Sequence, residues 1–191
     1  MQKIILASKS PRRSQLLEMA EIPFDVVIAE TDESYPAHLS IPSIPMHIAL
    51  QKALAVREKI NRKDVVILAA DTIVTIHNKI IGKPANRLQA IEILQELSGH
   101  THQVISGVAI LLNNKEIIFQ ETTDVFFHKL SQQQIVHYVD NYSPFDKAGA
   151  YAIQEWIGAI GIKSIHGDYY NVVGLPVSRV VKELENIIST L

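Results

Sequence analysis

Residues 65–76, VVILAADTIVTI, are apolar and largely β-branched, and Asp71 and Thr72 interrupt the run. Such residues fit a pleated, buried surface, and the run is too short to span a bilayer. A chain that carries it must build a sheet and cover it. The segment after it supports this: His77-Asn78-Lys79 turns the chain into Ile80-Ile81, which predicts a hairpin.

The rest of the chain alternates short strands with amphipathic helices. Lys3–Ala7 reads as a buried strand, and Ser10 caps a helix with Pro11 at its first position and Leu16, Leu17 and Ala20 on its apolar side. Residues 24–28 predict a second strand. Residues 31–45 contain Pro36, Pro42 and Pro45 and predict a loop, followed by a helix from about Met46 to Ile60 with Ala49, Ala53, Val56 and Ile60 as its buried stripe. Asn86 caps a helix with Leu88, Ile91, Leu94 and Leu97 inward and Gly99 as its stop. Residues 104–112 and 116–127 form a second hairpin around Asn113-Asn114. Ser131 and Gln134 make a capping box for a helix ending near Tyr142. Residues 151–165 read as strand with turns, and HGDYYN as a turn entering a strand. Gly174-Leu175-Pro176 opens a last helix packed through Val177, Val180, Val181, Leu184, Ile187 and Ile188. This mixture of hairpins and helices predicts an α/β fold with a mixed sheet rather than a doubly wound parallel one. No linker or repeat divides residues 1–191, so one domain is expected.

Composition narrows the function. With 47% hydrophobic and 20% charged residues the chain can bury a sizeable core. A net charge of −2 gives no global basic field, which disfavours nucleic acid as a partner. The absence of cysteine removes disulfides, thiolate metal sites and a Cys nucleophile. Met1-Gln2-Lys3 leads into a run too short for a signal peptide, and no stretch reaches membrane length, so a cytoplasmic protein is expected.

Several residues break the local pattern. In SKSPRR, a helix start after a strand offers unpaired amides and suits an anion. Ser8 and Ser10 add hydroxyls, and Arg12 and Arg13 add planar forks that match phosphate; the competing reading is a capped helix with solvated arginines. Asp71 stands where a core residue is expected. A buried carboxylate is costly unless paired, hydrogen-bonded or metal-bound, so it reads as a catalytic base or metal ligand, or else as a carboxylate held by local amides. Lys52 shares the apolar side of its helix with Ile48 and Ala49, as a snorkelling lysine also would. Lys83 in IIGKPAN and Glu33 in ETDES fit ordinary surface positions. Asp146 and Lys147 can pair with each other at the surface, and His100 and His102 read as loop histidines. Together the cations Arg12, Arg13, Lys52 and Lys83 and the carboxylates Asp71 and Glu33 suit a polyphosphate with a divalent metal.

The segments LASKSPRRSQLL, ADTIV, GKP, LSGHTHQVISGVAI, DKAGAYAIQ and GDYYNVVGLP occur in this order. On them the chain resembles the Maf family of nucleoside triphosphate pyrophosphatases, from residue 4 to about 180. The resemblance implies a two-lobed α/β fold similar to the inosine triphosphate pyrophosphatase class, with a long mixed sheet and a central cleft. It implies hydrolysis between the α- and β-phosphates to nucleoside monophosphate and pyrophosphate, a divalent cation (Mg²⁺ or Mn²⁺) and a homodimer. Asp71 matches the family's proton acceptor and a metal position. Ser8, Arg13, Lys52 and Lys83 match positions around the triphosphate, and Glu33 matches a second metal candidate. Arg12, Thr72 and Gln154 match positions that separate substrate subgroups. Arg-Thr-Gln resembles the dTTP/UTP subgroup; a subgroup similar to 7-methyl-GTP pyrophosphatases carries Trp, Gln and Glu there. Gln154 offers both a donor and an acceptor, which suits the edge of uracil or thymine. The family's septum-formation label implies a further alternative, a nucleotide-responsive regulator of cell division that acts by binding.

Overall fold

The computed structural model describes residues 3–189, so Met1 and Gln2 of the leader reading lie outside it. The elements run β1 (Ile4–Leu6), α1 (Pro11–Met19), β2 (Phe24–Val26), α2 (Ser43–Ile60), β3 (Ile67–Ile76), β4 (Lys79–Ile81), α3 (Arg87–Leu97), β5 (Thr101–Leu112), β6 (Lys115–Phe127), α4 (Gln132–Tyr142), α5 (Trp156–Gly161), β7 (Ile162–His166), α6 (Tyr169–Val173) and α7 (Val177–Ile188). The fold is α/β. Its seven strands are hydrogen-bonded in the order β2-β1-β3-β5-β6-β7, and β4 pairs with β3. The sheet is mixed: β1 is parallel to β2 and β3, whereas β4 is antiparallel to β3 and β7 to β6.

The chain forms two compact units. The first comprises Met1–Thr72, Ser106–Glu121 and Gly174–Leu191, and the second Ile73–Ile105 and Thr122–Val173. In the first, α2 lays Ala49, Ala53 and Val56 against Ala7, Ile67, Ala69, Ala109 and Leu111. The small residues allow a close approach, and Gly107 takes it furthest: a Cβ there would lie 2.1 Å from the Met46 nitrogen and from the Pro45 carbonyl carbon. In the second, α3 and α4 pack Ile91, Leu94, Leu97, Ile135 and Val139 onto Val74, Ile76, Val104 and Val125. The β3–β4 hairpin closes through His77 and Asn78, both at positive φ as a two-residue turn of the primed type requires.

Most predicted elements form, and the exceptions have local causes. Helix α2 starts at Ser43 rather than Met46, because Pro45 falls in the first turn, where its missing N–H costs nothing. Ser10 occupies the N-cap of α1 without a side-chain capping bond. Asn86 and the Ser131/Gln134 box cap as expected. Leu88 is exposed: it stands about 120° from Leu94 around the helix at 100° per residue. Residues 151–165 are not mainly strand. They form a turn, the short helix α5 and then β7, because a short apolar run does not distinguish helix from strand. HGDYYN enters helix α6, where the Asp168 carboxylate accepts from the Tyr170 N–H at 2.7 Å.

His102 is not a loop residue either. It lies on β5, is 1% exposed, and its Nε2 is 2.7 Å from the Tyr151 hydroxyl. Burial drives its pKa down to about 3, so the ring is neutral. Among the described residues no helix is long and apolar enough to cross a membrane.

Candidate active site

The first unit gathers two polar clusters around the Asp71 segment of β3. Arg13 is the centre of one. It sits in the first turn of α1, and only 8% of it is exposed. Its guanidinium donates to the Ala70 carbonyl at 2.8 Å, the Gly174 carbonyl at 2.9 Å, the Thr72 hydroxyl at 3.0 Å and the Ser8 hydroxyl at 3.1 Å. Burial lowers its pKa below the ordinary arginine value; Asp71 opposes this, Arg12 adds to it and Glu33 opposes it again. Arg13 thus binds the residues on both sides of Asp71. The Thr72 hydroxyl is also 2.8 Å from that of Ser106, a buried strand residue. Ser8 accepts from Arg13 and from the Ser10 N–H at 3.2 Å. Both bonds use its oxygen as acceptor, so the hydroxyl hydrogen remains for a third partner.

Lys52 is the centre of the other cluster. Its ammonium lies 2.7 Å from Asp71 Oδ1 and 2.8 Å from Glu33 Oε1. The Lys52 and Asp71 side chains are less than one-fifth exposed, whereas Glu33 is 58% exposed. Water therefore screens the Glu33 contact more strongly than the Asp71 contact. Lys52 is not a lysine that snorkels away from the core edge. It is the counter-ion of the one carboxylate interrupting β3, which explains how that carboxylate is accommodated.

Arg12 is half-buried beside Arg13 on α1. Adjacent helical residues point about 100° apart, so the two guanidinia serve different surroundings. Lys83 and Gln154 belong to the second unit, and both are exposed. Lys83 follows β4, next to Gly82, whose carbonyl accepts from the Gly149 N–H at 3.2 Å. Gln154 lies in the turn before α5. Lys147 does pair with Asp146, at 2.8 Å, but not at the surface: it is 8% exposed and also lies 3.5 Å from Glu155. Sequence reasoning missed Ser106 and the Gly174 carbonyl. Neither has a local signature, because each acts through a partner far along the chain.

Two carboxylates on one cation are also the hard oxygen donors that Mg²⁺ or Mn²⁺ takes when phosphates and water complete the shell. Glu33 and Asp71 fit such an ion. Among the described residues no group of three or more His, Cys, Asp and Glu forms a site by itself, so a bound ion would share its ligands with substrate.

The fold has a counterpart in the Staphylococcus aureus Ham1 protein, with a TM-score of 0.51 over 95% of this chain and 100% of that one, at 14% identity. That likeness concerns the fold alone. The sequence goes further: residues 3–187 match the family described as Maf-like protein, and the chain belongs to that family. Among its relatives is the dTTP/UTP pyrophosphatase of Bacillus cereus, 51% identical over 185 residues, 97% of this chain and 95% of that protein. The dTTP/UTP pyrophosphatase of Bacillus anthracis is similar to the same extent.

Proposed function

We propose that the chain is a nucleoside triphosphate pyrophosphatase that hydrolyses dTTP and UTP to the nucleoside monophosphate and pyrophosphate. Family membership and the relatives' names support the reaction class. The observation that carries the residue assignment is Asp71, ion-paired to Lys52 and flanked by two residues held by Arg13.

Asp71 acts as general base. Lys52 holds Oδ1 and leaves Oδ2 for a water molecule. The water gives its proton to the carboxylate as its oxygen bonds to the α-phosphorus, and the bond from that phosphorus to the α,β-bridging oxygen breaks. Pyrophosphate is the leaving group. Ser8, Arg13, the start of α1, Lys52 and Lys83 are the donors for the phosphate oxygens. Glu33 and Asp71 would hold a divalent cation, which offsets phosphate charge when bound. Arg12, Thr72 and Gln154 select the nucleotide. The working protein is a cytoplasmic homodimer in this reading.

The test is pyrophosphate release from a panel of dTTP, UTP, CTP, GTP and 7-methyl-GTP with Mg²⁺ or Mn²⁺. Turnover concentrated on dTTP and UTP, lowered about 10³-fold in Asp71→Asn, is expected for loss of a general base. Preference for 7-methyl-GTP overturns the base assignment, and absence of turnover on every nucleotide overturns the reaction.

A further inference from the structure

Tyr138, on α4, is fully buried and is used by none of the chemistry above. Its hydroxyl makes two bonds to one short segment. It accepts from the Ala152 N–H at 3.1 Å and donates to the Glu155 carboxylate at Oε2. The segment is itself closed: the Glu155 N–H donates to the Ala152 carbonyl at 3.1 Å. Residues 152–155 are therefore a hydrogen-bonded turn, with Ile153 buried and Gln154 exposed at its two central positions.

The clamp is supported on both sides. Glu155 Oε1 lies 3.5 Å from the buried Lys147 ammonium, which compensates the carboxylate. Gly158, at the start of α5, presses on the same turn: a Cβ there would lie 1.7 Å from the Ile153 carbonyl oxygen. Burial, and then the Glu155 bond, push the Tyr138 hydroxyl above the ordinary phenol range. It is thus a neutral donor at any working pH. Donor and acceptor capacities are both used, and both reach the ends of the turn that carries Gln154.

We propose that Tyr138 is a positioning residue for base selection, whose hydroxyl ties both ends of the 152–155 turn and so fixes the anchor of the Gln154 amide. The inference rests on the assignment of Gln154 to base selection. Its chemical basis is that a glutamine amide matches uracil in one orientation and cytosine in the flipped one. Gln154 contributes to that choice only while its amide lies at hydrogen-bond distance from the base edge, which the backbone anchor sets. A turn released at either end presents it in more than one pose.

The experiment compares UTP and CTP kinetics for the full-length enzyme and three variants: Tyr138→Phe, Glu155→Ala and Gln154→Ala. Tyr138→Phe removes both bonds of the hydroxyl and is expected to raise KM for UTP about fivefold, the scale of a net hydrogen-bond contribution, with kcat within about twofold and a lowered UTP/CTP ratio of kcat/KM. Glu155→Ala repeats the effect from the other end of the turn and decides the matter if Tyr138→Phe does not fold. In the Gln154→Ala background, Tyr138→Phe leaves the UTP/CTP ratio unchanged. The proposal is overturned if Gln154→Ala lowers the ratio but neither clamp variant does, or if a clamp variant lowers kcat equally for both substrates. A Gln154→Ala enzyme with the parental ratio removes the base-selection assignment and the proposal together.

Discussion

Replacing Arg13 with Met tests the joint that holds the Asp71 segment. The side chain keeps its length and burial but loses its donors. Two of the lost bonds go to the backbone carbonyls of Ala70 and Gly174, and two to the hydroxyls of Ser8 and Thr72. The hydroxyls can rotate to other partners, and the Gly174 carbonyl keeps only a long bond from the Thr72 hydroxyl, at 3.4 Å. Each carbonyl that loses its guanidinium donor costs about 1–3 kcal/mol. Part of this is offset because a buried guanidinium no longer has to be desolvated, as its lowered pKa reflects. The expected net loss is about 3–5 kcal/mol, against a typical total stability of about 5–15 kcal/mol. For a chain of this size that corresponds to a melting temperature lower by about 10–15 °C. Urea unfolding followed by the fluorescence of Trp156, the single tryptophan, measures it. Arg13→Lys should recover less than half of the loss, since one ammonium lacks the planar fork that reaches both carbonyls and both hydroxyls at once. A stability within about 0.5 kcal/mol of the parent, typical of a surface substitution, would refute the view that these four bonds hold the joint.

Three further outcomes follow from the same geometry. Lys52→Met leaves Asp71 and Glu33 without their shared cation; steady-state assays should show pyrophosphate release reduced about 10²-fold, the scale of losing a charged group at a phosphoryl site. His102 is neutral when folded, with a pKa of about 3, against 6.5 in the unfolded chain. The unfolded chain then binds the extra proton, so stability is full above pH 6.5 and falls as pH drops toward 3. His102→Phe should remove up to about 1.4 kcal/mol per pH unit of that slope in denaturation measured between pH 6 and 4, and an unaltered slope would count against it. Gly107→Ala drives a methyl into the α2 backbone, and calorimetry should record a loss of about 3 kcal/mol, the upper end of the usual overpacking cost.

Local rules accounted for the parts of the fold that depend on neighbours in sequence. The capped starts of α3 and α4, the β3–β4 turn and the apolar stripe of α2 all follow from spacing and side-chain chemistry. They failed where a short apolar run was ambiguous, at residues 151–165, and where burial reversed a polar residue's expected place, at His102 and Lys147. Asp71 was legible as an anomaly, because a carboxylate within a core strand requires a partner. Lys52 was legible only as a lysine on an apolar face.

The sequence by itself determined the α/β composition, the anomalous carboxylate and the family resemblance, since each rests on residue identity and short-range order. Tertiary structure decided which cation belongs to which acceptor. Lys52 reaches Asp71 across 19 positions, and Arg13 reaches Ala70 and Gly174 across 57 and 161. It also gave Arg13, one of two adjacent arginines in the sequence, partners on both sides of Asp71. The physical reason is that pairing energies depend on distance and desolvation in space, and neither is encoded at any single position of the chain.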